Sequence, residues 1–340
     1  MKNSLAKILP SKYAVLALPL LLGASCGTNN PPVSKPAVDT IVTQKAIRIP
    51  QFNADTAYQY VATQVAFGPR TPGSSAQKTC ADWMEAKLKT SCDTVYRQTT
   101  TVTGGDHKSL ACINLIGAIH PAATRRILLL AHWDSRPWAD EDTHDRDQPI
   151  LAADDGGSGV GVLLELARQL KSNSLPENLG VDILLTDVED YGRSEWKESS
   201  YCLGTQYWAT HPHVPGYHAD FGILLDMVGG RNARFPMEQT SANYARNVQM
   251  QVWQAASKAG ASSYFPPVPS SGGVTDDHVF VNELAHIPTI DLISLTDATK
   301  SGFPAHWHTH QDTMDIIDKN TLQAVGQTLL QVLFDTSSPA

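Results

Sequence analysis

Apolar residues repeat at two different spacings along this chain. From about residue 55 onward, segments with apolar residues three or four positions apart alternate with short segments that are continuously apolar or strictly alternating. The first spacing predicts helices and the second predicts strands. The predicted helices are 55–67, 75–88, 157–171, 204–209, 242–259 and 321–334. The predicted strands are 94–103, 111–119, 127–131, 181–186, 221–226 and 287–293.

The order of these segments predicts the fold class. Strands and helices alternate along most of the chain, and no internal repeat or domain-sized linker interrupts them. Such alternation is typical of α/β proteins, in which helices cover a mostly parallel sheet. We therefore expect a single α/β domain at 51–340, with a central mixed, mostly parallel sheet flanked by helices on both faces. A chain of 340 residues is long enough to form a large core.

The first 25 residues have the pattern of an export signal. An apolar run at 13–22 is too short to span a bilayer comfortably, and Gly-Ala-Ser-Cys-Gly follows at 23–27. This segment resembles a bacterial lipoprotein signal with Cys26 as the lipidated residue, although Gly23 stands where leucine is usual. An ordinary cleaved signal peptide is the alternative, and both imply export. Three lysines lie before the apolar run: Lys2, Lys7 and Lys12.

Residues 26–50 predict a tether between a membrane and the domain. Prolines and asparagines are frequent at its start, and no apolar periodicity follows. With a lipid on Cys26, the tether would anchor the domain to the outer membrane. No acidic run follows Cys26, and this favours the face of that membrane towards the periplasm.

The net charge of the chain limits the kind of molecule that it could bind. The formal net charge is −8 at pH 7, which argues against a nucleic-acid partner. Hydrophobic residues are 42% and charged residues 18% of the chain, an ordinary globular balance.

An exported location permits disulfides, and the four cysteines of the domain allow three pairings, which stay open here. These cysteines are Cys80, Cys92, Cys112 and Cys202.

Candidate metal ligands lie at the ends of the apolar runs or in a glycine turn. Ligands gather at the carboxyl ends of the strands in an open α/β sheet, so residues remote in sequence would meet there. Two imidazoles and three carboxylates suit zinc, which accepts nitrogen and oxygen donors. The five candidates are His132, Asp155, Asp190, Asp226 and His308.

Local patterns around these candidates admit plainer interpretations. Asp155 stands in a glycine turn that opens a helix, where an aspartate N-cap is a common alternative. Glu189 and Asp190 are adjacent acids after an apolar strand; their side-by-side burial is costly without a cation, but a solvated acidic loop is the alternative. Asp134 lies two residues after His132 and could accept the second ring N–H of a metal-bound imidazole.

Taken together, the motifs resemble a known family. The order His-x-Asp-Ser, Ala-Asp-Asp-Gly, Glu-Asp, Leu-Asp-Met and His-Thr-x-x-Asp-Thr resembles the zinc aminopeptidase superfamily, which includes the glutaminyl cyclases. The resemblance runs from about residue 67 to the C-terminus and implies an α/β fold with a mixed sheet. Asp190 stands where glutamate is the commoner ligand.

Further residues resemble the bacterial glutaminyl cyclases rather than the aminopeptidases. Trp307 directly precedes His308, and Trp196 follows the Glu-Asp pair at nearly the cyclase spacing. Core packing is the alternative for Trp196. Asp276 lies in Asp-Asp-His, another cyclase-like motif, and Asp291 stands where animal cyclases have histidine. Rigid tryptophan walls suit the closing of a flexible glutamine side chain on its own amine.

The resemblance implies one zinc per chain, held by Asp155, Asp190 and His308. Glu189 would transfer protons, while Trp196 and Trp307 shape the substrate pocket. The expected substrates are peptides and proteins with an N-terminal glutamine, which becomes pyroglutamate with release of ammonia, and the expected state is a monomer.

The catalytic set would also include a carboxyl pair, Asp226 with Asp276, that shares a proton. A two-zinc aminopeptidase is the main alternative, with His132 and Asp226 as additional ligands. A binding module without catalysis is the second alternative.

Overall fold

The apolar repeats form a six-stranded sheet covered by helices. The computed structural model describes residues 49–337, so the predicted signal peptide and nearly all of the tether lie outside the described residues. The helices of the described part are α1 (Ala54–Ala66), α2 (Ser75–Ser91), α3 (Gly157–Ser172), α4 (Leu203–Thr210), α5 (Gln239–Lys258), α6 (Asp277–Leu284) and α7 (Lys319–Ser337). Its strands are β1 (Thr94–Thr103), β2 (Ser109–Ile119), β3 (Arg125–His132), β4 (Leu179–Thr186), β5 (Phe221–Asp226) and β6 (Thr289–Ile293).

The strand order places the carboxyl ends of the central strands side by side. The sheet has the order β1-β2-β4-β3-β5-β6. The β1–β2 and β2–β4 pairs are antiparallel, and the three pairs among β4, β3, β5 and β6 are parallel. His132 pairs with Thr186, and Leu130 pairs with Leu224. His132 and Asp226 lie two residues after Leu130 and Leu224 on their strands. They therefore end neighbouring strands at one edge of the sheet.

Helices pack on both faces of the sheet, as the alternation predicts. Along β3, Leu129 belongs to the larger core cluster, which contains residues of α1, α2, α3, α5 and α7. Its neighbours Leu128 and Leu130 belong to a separate cluster with Trp208 of α4 and Val281 of α6. Successive side chains of a strand point to opposite faces, so the two clusters lie on opposite sides of the sheet. The predicted fold class is confirmed.

One helix that the sequence did not predict and the start of another have local explanations. Helix α6 was not predicted, because its eight residues make only about two turns and begin with two polar residues, Asp277 and His278. Asp276 caps it by accepting the backbone N–H of Asp277. Helix α5 begins three residues earlier than predicted, since Glu238 caps it although glutamate is not among the favoured N-cap residues.

The described residues also settle the state of the cysteines and the length of the apolar helices. All four cysteines of the domain are buried free thiols. Within residues 49–337 we find no helix whose length and apolar content would let it cross a bilayer.

Candidate metal centre and active site

The five predicted ligands meet at the carboxyl edge of the sheet. Their donor atoms form two overlapping groups, each within 4.8 Å: Asp155 with Asp190 and His308, and Asp155 with His132 and Asp226. His308 Nε2 lies 3.3 Å from Asp190 Oδ1 and 3.6 Å from Asp155 Oδ2. His132 Nε2 lies 3.1 Å from Asp155 Oδ1 and 3.2 Å from Asp226 Oδ1. Asp155 therefore belongs to both groups.

A glycine turn brings Asp155 to the strand end. Gly156 has φ +52°, and a Cβ atom there would lie 2.5 Å from the carbonyl oxygen of His132, so the turn requires glycine. The carboxylate of Asp312 accepts the backbone N–H groups of Asp154 at 2.7 Å and Asp155 at 3.1 Å. The turn at Gly156 and the carboxylate of Asp312 together position Asp155.

Asp134 joins the loops that follow β3 and β4. Its carboxylate accepts the backbone N–H groups of Glu189 at 3.0 Å and Asp190 at 3.1 Å. Its Oδ1 also lies 3.4 Å from Nδ1 of His132, the contact that the sequence predicts for a metal-binding imidazole. One buried carboxylate therefore orients residues from both loops.

Arg136 contacts the predicted metal ligand Asp190 directly. The guanidinium is 1% exposed, and its Nη1 donates to Asp190 Oδ1 at 2.6 Å. It also makes two 2.6 Å bonds to Asp140, whose Oδ1 lies 3.5 Å from Nδ1 of His308. Burial raises the pKa of Asp190, but His308 and Arg136 outweigh burial and lower it. Arg136 and Asp140 thus connect two of the three ligands.

The first group fits a zinc ion by its chemistry and its unsatisfied atoms. Asp155 Oδ2 and Asp190 Oδ2 are buried and have no hydrogen-bond partner among the described residues. Unpaired buried carboxylate oxygens are costly, so a ligand is expected at this point. One imidazole nitrogen and two carboxylate oxygens are a donor set that zinc accepts, with a further position left for substrate.

Glu189 lies beside this group with its carboxylate in the cavity. Burial raises its pKa well above the ordinary value, and His132 opposes the rise. One side-chain hydrogen bond reaches the carboxylate within the described part of the chain, from the Cys202 thiol at 3.4 Å. Donor atoms of Glu189, Cys202 and Asp276 lie within 4.8 Å of one another. Glu189 is therefore placed to exchange protons with a molecule in the cavity.

The predicted pair Asp226 and Asp276 lines the same cavity as Glu189. Burial raises the pKa of Asp226 to about 6, and it raises the pKa of Asp276, which the charge of Asp226 raises further. Asp226 bonds to His132, and Asp276 bonds to the N–H of Asp277. Their direct hydrogen bond is not among the contacts of the described residues, so the shared proton stays a prediction.

The cavity has a volume of about 420 Å³, with acids at its base and apolar residues around them. Trp307 is in the wall, as predicted; it stacks on His308 with ring centroids 3.7 Å apart and packs against Phe303 at 4.4 Å. No lysine or arginine is among the described residues that line it. The apolar and aromatic part of the wall is formed by Tyr201, Met227, Val274, Ile293, Leu295, Phe303 and Trp307.

Trp196 occupies a different place from Trp307. It is not among the residues that line the cavity, where Tyr201 stands instead. Its ring packs against Trp138 at 6.0 Å and Tyr191 at 6.2 Å, in a separate apolar cluster. This position matches the core-packing alternative, and a role in substrate binding stays a prediction.

Several residues of the site carry no signal in the sequence. Arg136 lies in a long polar loop, but nothing local marks it as a partner of Asp190. Val188, Cys202 and Met227 all have φ near +50°, a left-handed conformation that is uncommon for such residues and clusters at functional sites. This backbone strain could be found only in the folded structure.

Comparisons with known proteins agree with the geometry. The model of peptidase family M28 matches residues 114–333. The glutaminyl cyclase of Bacteroides thetaiotaomicron, solved with N-acetylhistamine, is 46% identical with a TM-score of 0.82, over 85% of this chain and 99% of that one. A Zn-dependent exopeptidase from Parabacteroides distasonis is also 46% identical, with a TM-score of 0.82, over 85% and 100% of the two chains.

A curated relative extends the same comparison to animals. The glutaminyl-peptide cyclotransferase of Gloydius blomhoffii is 28% identical over 247 residues, which are 64% of this chain and 63% of that protein. The chain therefore aligns with somewhat less than two thirds of this relative. The similarity to bacterial glutaminyl cyclases that the motifs predicted is confirmed by the solved structures. Since the family model covers well over half of the chain, the protein belongs to peptidase family M28.

Proposed function

We propose that this protein is a glutaminyl-peptide cyclotransferase, which converts the N-terminal glutamine of peptides and proteins to pyroglutamate with release of ammonia. The observation that carries the proposal is the cavity in which Glu189 and the group Asp155, Asp190 and His308 face a wall containing Trp307. Glutaminyl cyclases from Bacteroides thetaiotaomicron and Tannerella forsythia, both 46% identical, support it.

One zinc per chain is the expected cofactor, with Asp155, Asp190 and His308 as its ligands. When bound there, zinc acts as a Lewis acid towards the γ-amide carbonyl of the substrate. The two unpaired buried oxygens, one on each aspartate, support this choice. Arg136 and Asp140 would hold Asp190 and His308 in place through their far sides.

Glu189 would transfer the proton that the reaction moves. The α-amine nitrogen attacks the γ-amide carbon, a C–N bond forms, and the bond to the amide nitrogen breaks. Glu189 accepts the proton of the attacking amine and returns it to the leaving nitrogen, which departs as ammonia. The acids at the base of the cavity favour a basic amine, and Trp307 with Phe303 provides an apolar surface that disfavours water.

A two-zinc aminopeptidase is the second candidate. The observation that favours it is the second group of donors, formed by Asp155, His132 and Asp226. The exopeptidase from Parabacteroides distasonis has the same similarity to this chain as the cyclase structures. This candidate requires about two zinc ions per chain and the release of a free amino acid.

The proposals on cellular location and oligomeric state are based on the sequence. We propose export, lipidation of Cys26 and attachment to the outer membrane with the domain in the periplasm. The basic and apolar start of the chain and the small residues around Cys26 support this proposal. The monomeric state likewise stays a prediction.

The test uses two matched dipeptides, one beginning with glutamine and one beginning with leucine. A cyclotransferase releases ammonia and a pyroglutamyl product from the first and leaves the second intact. An aminopeptidase releases free leucine from the second. Zinc is counted on the same sample, with about one ion per chain expected. Free leucine together with two zinc ions would overturn the proposal.

A further inference from the structure

The carboxylate of Glu189 has a single hydrogen-bond donor among the described side chains. That donor is the thiol of Cys202, with Sγ 3.4 Å from Oε1. The Nδ1 atom of His132 lies 3.9 Å from Oε2, which is too far for a hydrogen bond. A carboxylate with so few partners would rotate freely unless the thiol restrains it.

The backbone places this thiol rigidly. The N–H of Cys202 donates to the carbonyl of Glu189 at 2.9 Å, and the N–H of Leu203 donates to the carbonyl of Val188 at 3.0 Å. Cys202 itself has φ 55° at the start of α4, and it is 0% exposed. These two backbone hydrogen bonds and the left-handed turn direct Sγ of Cys202 towards the side-chain carboxylate of Glu189.

The thiol can act as a donor because it keeps its proton. Burial raises the pKa of Cys202 well above that of a free thiol, and the charge of Glu189 raises it further. A protonated thiol is a weak donor. It can therefore orient the carboxylate of Glu189 through the direction of its S–H bond.

We propose that Cys202 is a positioning residue for Glu189, whose carboxylate its S–H holds in the orientation that proton transfer requires. This inference rests on the proposed function for the role of Glu189. Cys202 is not among the described residues that line the cavity. It would therefore act through Glu189 alone, changing kcat and leaving the KM for substrate unchanged.

The test compares Cys202→Ala with Cys202→Ser. The alanine variant loses the donor, and we expect its kcat to fall about 5-fold, the effect of losing one hydrogen bond of ordinary strength. The serine variant keeps an O–H donor, and we expect it to recover most of that loss. KM and zinc content should match the wild type in both. Cys92→Ala is the matched control and should keep wild-type kcat, because this buried cysteine lies near Asp182, towards the start of β4, whereas Glu189 follows the end of that strand.

An infrared measurement tests the same contact without turnover. The S–H stretching band of Cys202, assigned by difference from Cys202→Ala, should move to higher frequency in Glu189→Gln, because an amide is a weaker acceptor than a carboxylate. An unmoved band, or equal kcat in the alanine and serine variants, would overturn the inference. If the wild type releases no ammonia, the proposed function fails on its own, and the band alone decides whether Cys202 holds Glu189.

Discussion

Adjacent acids acquire opposite properties in this protein. Burial raises the pKa of Glu189, with His132 too weak to reverse it. Burial acts on Asp190 as well, but His308 and Arg136 lower the pKa of that carboxyl. Pairs of acids whose surroundings separate their pKa values in this way are typical of acid–base enzymes. The geometry thus distinguishes a carboxyl that can carry a proton from one that stays charged for a metal.

Replacement of Glu189 by glutamine should abolish turnover and leave zinc binding intact. The side chain keeps its size but loses the ability to accept a proton, so we expect a loss of about 10²–10⁴-fold or more in kcat. Zinc content should stay near that of the wild type, because the three proposed ligands are unchanged. Glu195→Gln, at an exposed glutamate of the same loop, is the control. Turnover retained in the Glu189 variant would show that another group carries the proton.

Replacement of Asp140 by asparagine should weaken zinc binding. The change removes a negative charge near the centre and the charged partner of both Arg136 and the Nδ1 atom of His308. Both changes lower the affinity for zinc, and loss of such a partner typically costs about 10–100-fold in metal affinity. Titration of the metal-free protein against a zinc chelator measures the change. Asp147→Asn, at an exposed residue of the same loop, should bind zinc as the wild type does.

At the scale of elements, the start of α5 supports the cavity wall. Glu238 accepts the backbone N–H groups of Thr240 at 2.7 Å and Ser241 at 2.5 Å, which caps the helix. The same carboxylate accepts the N–H of Val274 at 2.9 Å, in the loop that lines the cavity. One buried side chain therefore joins the beginning of a helix to the substrate site.

This cap predicts a pH-dependent stability. Burial raises the pKa of Glu238, but the nearby imidazole of His278, with Nε2 3.6 Å from Oε2, and the hydrogen bond from the N–H of Ser241 outweigh it and lower the pKa to about 2, from an ordinary value of 4.5. The charged form is therefore stabilised by folding, and the contribution is present above pH 4.5 and lost as the pH falls towards 2. A difference of this size corresponds to about 3 kcal/mol at neutral pH.

Glu238→Gln tests this expectation by urea unfolding. The variant should be less stable than the wild type by about 2–3 kcal/mol at pH 7, and the difference should persist to about pH 5. It should shrink as the pH falls to 3, since the wild-type carboxyl then begins to be protonated in the unfolded chain. A difference that stays constant between pH 7 and pH 3 would contradict the assigned role of the charge.

At the scale of the whole molecule, the centre joins segments that are remote in the chain. Asp155 and His308 are 153 positions apart, and they meet because β3 and β6, the strands that they follow in the chain, end at the same edge of the sheet. An unfolded chain does not hold these groups together. An ion bound there therefore stabilises the folded state over the unfolded state.

Removal of zinc should accordingly lower the thermal stability. At a free zinc concentration 100 times the Kd, binding contributes about 2.7 kcal/mol. In a domain of this size, that energy corresponds to a fall in Tm of roughly 4–5 °C on chelation. Scanning calorimetry with and without a chelator measures it, and added zinc should restore the Tm. Asp155→Asn should respond to neither treatment, and an equal response would place the stabilising ion elsewhere.

The local pattern of the chain was enough to predict most elements. The predicted strands at 94–103 and 221–226 match β1 and β5 residue for residue. The end of β1 alternates in exposure and β5 is buried throughout, and both patterns can be read in a short window of sequence. Helix α6 was missed because its eight residues are too few to show a periodic apolar pattern.

Local sequence patterns were enough to predict the fold class and the five candidate ligands, because parallel strands place their carboxyl ends at one edge whatever lies between them. The tertiary structure alone decided which side chains surround those ligands. It brings Arg136 to Asp190 and Cys202 to Glu189, and it places Tyr201 in the cavity while Trp196 packs outside it. Such contacts depend on left-handed turns and loop paths, which are set by packing across the whole molecule and leave no local pattern in the chain.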